Sequence, residues 1–393
     1  MSLTELTPTT LAAALADADL CVKCGLCLPH CPTYQLHQNE ADGPRGRLAL
    51  SQALLTGALP ASPALTAHLD GCLSCRACEV VCPAHVPYGR VLDTTRAALA
   101  TPSRTRLTRV MSVVLGSALL RGAARLLLRL LTLLPELGRH APRWLLAQPV
   151  VTRWQTVKAP AVGRVALFTG CVGDITERAV LNDAVRLFRA AGVDVAIPPA
   201  QGCCGALHQH GGLPAAAASR AARNATAFAG CDTVVALASG CGAALADLGR
   251  DGDTPLAPKV KDLCTTLAAA LDAQPPRFAA RPLRVGIHTA CTQAAVFSGR
   301  DAVRQLLARI PGVVLVDLAA ASGCCGAAGT AFITQSGQAR QLLQPKLDAA
   351  AHVDLVVSAN IGCSLHLLAG LRGRGLLVPV LHPVSLLAQA LLD

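Results

Sequence analysis

Eight cysteines near the start of the chain stand in two copies of one spelling. Cys21-Val-Lys-Cys24-Gly-Leu-Cys27-Leu-Pro-His-Cys31-Pro32 is followed by Cys72-Leu-Ser-Cys75-Arg-Ala-Cys78-Glu-Val-Val-Cys82-Pro83. Each reads C-x2-C-x2-C-x3-C-P, the run that wraps a [4Fe–4S] cubane in two-cluster electron carriers. Three thiolates at two-residue intervals fold over one face of a cubane, and the proline-flanked fourth turns away to the other cluster. That rule assigns Cys21, Cys24, Cys27 and Cys82 to a first cluster and Cys72, Cys75, Cys78 and Cys31 to a second. Zinc usually takes C-x2-C pairs separated by a longer stretch, and two complete copies with both prolines argue against it. The chemistry implied is the carriage of single electrons.

A second group of cysteines sits in an internal repeat of about 120 residues. Arg164-Val-Ala-Leu-Phe-Thr-Gly-Cys171 matches Arg284-Val-Gly-Ile-His-Thr-Ala-Cys291, and Gly202-Cys-Cys-Gly205 matches Gly323-Cys-Cys-Gly326. Val234-Val-Ala-Leu-Ala-Ser-Gly-Cys241 matches Leu355-Val-Val-Ser-Ala-Asn-Ile-Gly-Cys363. Each half offers four thiols: Cys171, Cys203, Cys204 and Cys241, then Cys291, Cys324, Cys325 and Cys363. Such a quartet suits an iron–sulfur cluster or a zinc ion, and the flanking glycines let backbone approach closely. Neighbouring cysteines are poor disulfide partners, so a Cys203–Cys204 bridge is not expected. Cys231 and Cys264 have no counterpart in the other half and read as small hydrophobes. His288 replaces Phe168 of the first half; a ligand, a proton carrier and a hydrogen-bonded structural histidine all remain open for it. His208 and His210, just after the first Cys-Cys-Gly, are read in the same way.

These thiols need elements to place them. In the repeat, each unit begins with a β-branched strand ending at a cysteine. A helix follows (177–191; 299–310), then a second strand ending at Cys-Cys-Gly, another helix, and a third strand running into the last cysteine. Strand–helix alternation predicts a parallel α/β sheet, where ligands bind beyond the carboxyl ends of the strands. Near the N-terminus, helices are expected over 10–20, 48–59 and 63–70. The forty residues 32–71 between the two cysteine runs therefore carry helix rather than a tight hairpin. Arg45 and Arg47, in the loop Asp42-Gly-Pro-Arg-Gly-Arg47, are candidates for tuning a cluster by charge or for a plain helix start.

Composition sets the bounds. The 393 residues are 52% hydrophobic and 15% charged, which predicts packed domains rather than disorder. Eighteen cysteines in metal-ligand spacings point to a reducing cytoplasm and not to a disulfide scaffold. Residues 1–20 hold no basic residue and no long apolar run, unlike a secretory signal. The formal charge of +11 overstates basicity, since each four-thiolate cubane carries about −2. Aromatics at 3% are too few for a base-stacking platform, so nucleic acid is not a predicted partner.

From Arg104 to Val151 the chain is leucine-rich and punctuated by arginines, with no uncharged run longer than the eleven residues 110–120. That is too short for the ~20 residues that cross a bilayer. Arg121, Arg125 and Arg129 recur every four positions and share one helical face, the pattern of a helix lying on an anionic membrane or docking on a partner. The domain plan is an α-helical ferredoxin domain at 1–100, a basic helical connector at 101–160, and α/β repeats at 161–275 and 276–393.

The doubled unit resembles the cysteine-rich CCG domain of the heterodisulfide reductase family, whose pattern is C…CCG…C-x2-C. Here Ala238 and Asn360 stand where the first cysteine of the closing pair would be. That leaves a non-cubane cluster, an ordinary cubane or zinc open in each half. Together with the two cysteine runs, Cys31-Pro-Thr-Tyr-Gln-Leu36 and Asp42-Gly-Pro-Arg-Gly-Arg47, the whole chain resembles the iron–sulfur subunits of bacterial glycolate oxidase (glycolate dehydrogenase). The resemblance implies two [4Fe–4S] clusters, with one or two further clusters in the repeats. It also implies FAD-containing partner subunits that oxidise glycolate to glyoxylate, and onward transfer to a membrane acceptor such as quinone at the cytoplasmic face of the inner membrane. The chain's own residues agree: no G-x-G-x-x-G follows a strand, and two-electron hydroxyacid chemistry belongs to a flavin. Cluster subunits of glycerol-3-phosphate or lactate dehydrogenases, disulfide catalysis at a repeat cluster, and a zinc-structured sensing module are the alternatives.

Overall fold

The computed structural model describes residues 6–99, 102–133, 163–248, 255–318 and 323–392. The chain falls into two compact units. One comprises Met1–Ser112, Ala206–Ala217 and Ala321–Leu343; the other comprises Val113–Gly205, Ala218–Ala320 and Gln344–Asp393.

The first unit is helical. Its helices Pro8–Asp19, Pro44–Leu55 and Pro63–Asp70 each open on a proline, which costs nothing at a position whose N–H has no partner in the helix. Thr7 and Ser62 cap two of them, accepting from Thr10 N and Leu65 N at 3.2 Å. With Tyr88–Ala98 these helices bury Ala18, Leu48, Leu54, Leu69, Val91 and Leu92. Each such leucine or valine contributes roughly 1.5–3 kcal/mol on leaving water, so the cysteine loops hang from a firm scaffold. The helix expected over 48–59 runs over Pro44–Leu55 instead, because proline and not the first leucine sets its start.

The second unit contains two four-stranded parallel sheets. The first is built from β1 (Gly163–Phe168), β2 (Val193–Ala196), β3 (Val234–Ala236) and β4 (Val260–Asp262) in the order β2-β1-β3-β4. The second repeats that order with β5 (Arg284–His288), β6 (Val314–Asp317), β7 (Leu355–Ser358) and β8 (Val380–Leu381). Register is fixed by parallel pairs such as Ala166 with Ala196 and with Val234. The second strand of each half stops six residues short of its Cys-Cys pair, at Ala196 and Asp317. The pairs therefore sit in loops, where glycines can turn the backbone, and not at the strand ends expected from sequence. The short fourth strands, β4 and β8, carried no periodicity long enough to announce them.

One continuous core joins the two sheets. Leu181, Ala184, Val185 and Phe188 form the apolar stripe of helix Arg178–Ala190. That helix packs on Pro383–Ala390, and Leu263–Ala273 packs on Ala302–Leu307. The second helix of each half thus meets the last helix of the other.

Helix Ala118–Leu133 belongs to the same unit. Arg121 does not face outward: it bonds Asp174 at 2.9 Å and the Leu115 carbonyl at 2.8 Å. Among the described residues of this helix, the exposed large apolar ones are Leu119, 86% exposed, Leu120, Leu126 and Leu127. Arg139 and Arg143 lie outside the described residues. No helix among the described residues is long and apolar enough to cross a membrane.

Candidate metal centres

The two N-terminal cysteine runs share a backbone. Lys23 and Gly25 in the first have φ of 56° and 83°, and their counterparts Ser74 and Arg76 have 50° and 60°. Left-handed conformation at a non-glycine residue costs on the order of 1–2 kcal/mol. Its recurrence at matched positions marks a loop bent to aim its three cysteines inward.

Cys21, Cys24, Cys27 and Cys82 line one pocket, together with Gly25, Arg45, Tyr88 and Cys78 of the other run. Cys24 is exposed and the other three are half-buried. Burial, helped by repulsion from Cys21 and Cys24, pushes the Cys27 thiol up to about 11. Arg45 reaches across the loop to the Lys23 carbonyl at 3.0 Å while paired with Glu40 at 2.5 Å.

The other set lies deeper. Cys31, Cys75 and Cys78 are buried and Cys72 half-buried. Burial first, then neighbouring sulfurs, drives the Cys75 and Cys78 thiols far above their usual range, with Cys31 and Cys72 among the neighbours of both. Cys72 Sγ accepts from the Tyr88 hydroxyl and from Ser74 N, both at 3.4 Å. Cys31 Sγ meets Thr33 Oγ1 at 3.3 Å. Arg47 is buried and donates to Thr33 Oγ1 at 2.8 Å, whereas Arg45 belongs to the surface pocket. Arg96 holds the loop itself, donating to the Cys72 carbonyl at 2.7 Å and to Ser74 Oγ at 2.8 Å.

In the first repeat, Cys171 opens the helix after β1 and Cys241 lies in the helix after β3. β2 and β3 flank β1 on opposite sides, so the crevice at its carboxyl end is a topological switch point, where α/β sheets hold ligands. The Cys203–Cys204 loop closes that crevice. Cys171 Sγ lies 3.7 Å from Cys203 Sγ. Cys204 hydrogen-bonds with both Cys203 and Cys241, and these contacts together with burial raise its thiol strongly. Gly170 lies against Cys241 in a backbone conformation, φ +66°, that favours glycine. Two buried and two half-buried sulfurs gathered at one crevice are poor thiolates unless a cation compensates them. This donor set therefore fits a thiolate-bound metal or cluster.

The second quartet is distributed differently. Cys291 and Cys363 belong with β5 and β7 in the α/β unit, while Cys324 and Cys325 fall within the helical unit. There Cys324 accepts from Gly326 N at 3.3 Å and stands near enough to Cys75 to repel its thiolate. His288 is buried with Nε2 lacking a hydrogen-bond partner, and one of its ring nitrogens lies within 4.8 Å of Cys363 Sγ. His210 pairs with Asp93 at 2.9 Å, a structural contact, and His208 is buried. Cys264 is packed in the sheet core. The positions of the missing fifth cysteines are helix N-caps: Asn360 accepts from Gly362 N at 3.1 Å, while Ala238 caps with no side-chain bond.

Sequence reasoning missed Tyr88, Thr33 and Arg96. Their distance from the cysteines in sequence hides them, although Thr33 follows Cys31-Pro32 directly.

Comparison with known proteins shows matches to the model of a 4Fe-4S dicluster domain over residues 17–86 and of a cysteine-rich domain over 165–246 and 285–368. The chain is similar to the glycolate oxidase iron-sulfur subunit of Escherichia coli (strain K12), at 32% identity over 99% of this chain and 98% of that protein. It is 30% identical to the probable glycolate oxidase iron-sulfur subunit of Bacillus subtilis (strain 168), over 94% of this chain and 93% of that one. Similarity to lactate utilization protein A of Geobacillus kaustophilus (strain HTA426), at 28% identity, covers 57% of this chain.

Proposed function

Because the chain belongs to the family of glycolate oxidase iron–sulfur subunits, we propose that it is the electron-relay subunit of a glycolate-oxidising complex. What supports this reading is the grouping of the cysteine runs: Cys82 lines one pocket with Cys21, Cys24 and Cys27, at whose wall Cys78 also lies, and Cys31 neighbours Cys72, Cys75 and Cys78. That grouping is what two proline-terminated runs need to hold two [4Fe–4S] clusters. When bound, such clusters accept and donate single electrons. The chain's part is to supply the thiolates, hold them by left-handed loops, and keep water away from the deeper set. Cys171, Cys203, Cys204 and Cys241 form a third ligand set.

The partner in this reading carries FAD, since the chain has no dinucleotide fingerprint of its own, and the acceptor is a quinone. The exposed Leu119, Leu120, Leu126 and Leu127 favour a peripheral position on the cytoplasmic face of the membrane.

Anaerobic co-purification with the neighbouring flavoprotein tests the proposal. Iron and acid-labile sulfide in near-equal amounts, and reduction of the EPR-active centres by glycolate only when the flavoprotein is present, are the expected results. Zinc without sulfide, or glycolate turnover by this chain alone, would sink it.

A further inference from the structure

The two cysteine sets of the helical unit share a loop conformation but not their surroundings. Around the first, Cys24 is open to solvent, and Val22 is 70% exposed. Its nearby cation, Arg45, is clamped by both carboxylate oxygens of Glu40, at 2.5 and 3.1 Å. A paired charge in water acts weakly on its neighbours.

Around the second set, Arg76 is paired with Glu79 at 2.6 Å, and Arg96 is spent on the loop, at the Cys72 carbonyl and Ser74. That leaves Arg47, 1% exposed, as the cation less committed to a carboxylate. Its Nε donates to the His68 carbonyl at 2.6 Å and its Nη1 to Thr33 Oγ1, which in turn touches Cys31 Sγ. Its acidic neighbour Asp42 is 3.5 Å away and is shared with His68 at 3.0 Å, so much of the positive charge is left for the sulfurs. Burial works against that charge, and Cys72, Tyr88, Cys31 and Asp42 together more than restore it. Tyr88 adds a hydrogen bond to Cys72 Sγ from a buried hydroxyl.

Two effects compete here. Burial raises the cost of adding an electron to an anionic centre, because the extra charge is poorly solvated. A buried cation and a hydrogen bond to a ligand sulfur lower that cost. We propose that Arg47, with Tyr88 as the smaller contributor, offsets burial at the Cys31/Cys72/Cys75/Cys78 set and holds up the reduction potential of the cluster bound there. The Tyr88 ring also lines the pocket of the Cys21/Cys24/Cys27/Cys82 set, but its hydroxyl is committed to Cys72 and Arg47 to Thr33 and the His68 carbonyl, so the effect on that set is the smaller one. This rests on reading both sets as cluster ligands. Arg47 and Tyr88 are then positioning residues for electron relay.

The test is an EPR-monitored redox titration of the anaerobically purified full-length chain, with iron and sulfide counted in every sample. Cys24→Ser alters the component of the first set and so identifies the other. Arg47→Met is expected to lower the potential of the second component and leave the first in place. Arg47→Lys, which keeps the charge, restores most of the shift. Tyr88→Phe gives a smaller shift in the same direction, and Arg45→Met leaves the second component where it was. If Arg47→Met loses iron, Tyr88→Phe decides, since it removes only a hydroxyl. The inference is overturned if fully loaded Arg47→Met or Tyr88→Phe protein titrates like the parent, or if the component that moves is the one altered by Cys24→Ser. A parent chain without iron and sulfide would instead remove the reading beneath it.

Discussion

The two α/β repeats have the same strand order and cysteine spacings that match to within one residue, yet they differ at several positions near the strand ends. Phe168, which packs on Phe228 with ring centroids 6.1 Å apart, becomes His288 with an unpartnered Nε2. Glu177, a buried acid at the start of a helix, corresponds to Phe297. Asp262, after β4, caps the following helix by accepting from Thr265 N, and its counterpart His382, after β8, does the same for Val384 N. Ala238 becomes Asn360. The sheet fixes where the thiols lie, while the side chains behind them are free to acquire different charge. In the first half the four sulfurs also converge in a single unit, and in the second they are divided between two.

Four experiments would break or sharpen that contrast. The largest effect is expected from Cys204→Ala, because its sulfur meets two of the other three. The metal of the first repeat should be lost, with iron falling by that whole complement, while Cys231→Ala leaves it unchanged. Equal iron and equal zinc in both proteins would mean that the first repeat holds no metal through Cys204.

Glu177 comes next. Burial alone raises its carboxyl from 4.5 to about 8. Below pH 4.5 the group is protonated whether the chain is folded or not, and it costs nothing. Between 4.5 and 8 the unfolded chain releases a proton that the folded chain keeps, so stability falls as pH rises. Glu177→Gln should therefore be more stable than the parent by on the order of 2–3 kcal/mol near pH 7.5, a gain that shrinks toward pH 5. Parallel melting curves at the two pH values measure it, and a pH-independent difference would show that the acid is not buried in isolation.

His382 titrates in the opposite sense. Burial lowers it from 6.5 to about 4, so above pH 6.5 it is neutral in both states. As pH falls from 6.5 toward 4 only the unfolded chain takes up the proton, and stability declines. His382→Asn keeps a cap and removes the titration, and should flatten this decline by about 1–2 kcal/mol at pH 5. Denaturant midpoints between pH 5 and 7 test it, with parallel slopes for the two proteins counting against the assignment. The smallest effect belongs to Asn360→Ala, which forfeits a helix cap and the bond to Ser239 Oγ at 3.2 Å, worth about 1 kcal/mol. Ala238, its counterpart, has no such bond to lose, and equal stability of the variant and the parent would erase that distinction.

The cysteine spacing carried much of this in advance. The doubled C-x2-C-x2-C-x3-C-P run, the parallel α/β repeat and the helical character of the N-terminal region were all legible, because period and spacing are local properties. The orientation of Arg121 was not: a four-residue periodicity says that arginines share a face but not which way that face turns, and Asp174 draws Arg121 inward. Nor was the difference between Arg45 and Arg47. Two residues apart in one helix start, they lie on different sides of it, and only packing on His68 and Thr33 puts one of them out of reach of water. The acids Glu177 and Asp262 gave no signal at all, since burial of a lone carboxyl is decided by distant segments.

The chain passes between its two units five times, and this bears on its synthesis. Gln338 donates to the Gly71 carbonyl at 3.1 Å, beside Cys72, and meets His37 at 3.1 Å. At translation rates of 5–20 residues per second, the stretch Ala321–Leu343 leaves the ribosome roughly 10–50 s after Cys82. Until then the early thiols are made but not yet covered, a window in which oxygen can reach them and in which inorganic assembly has its easiest access.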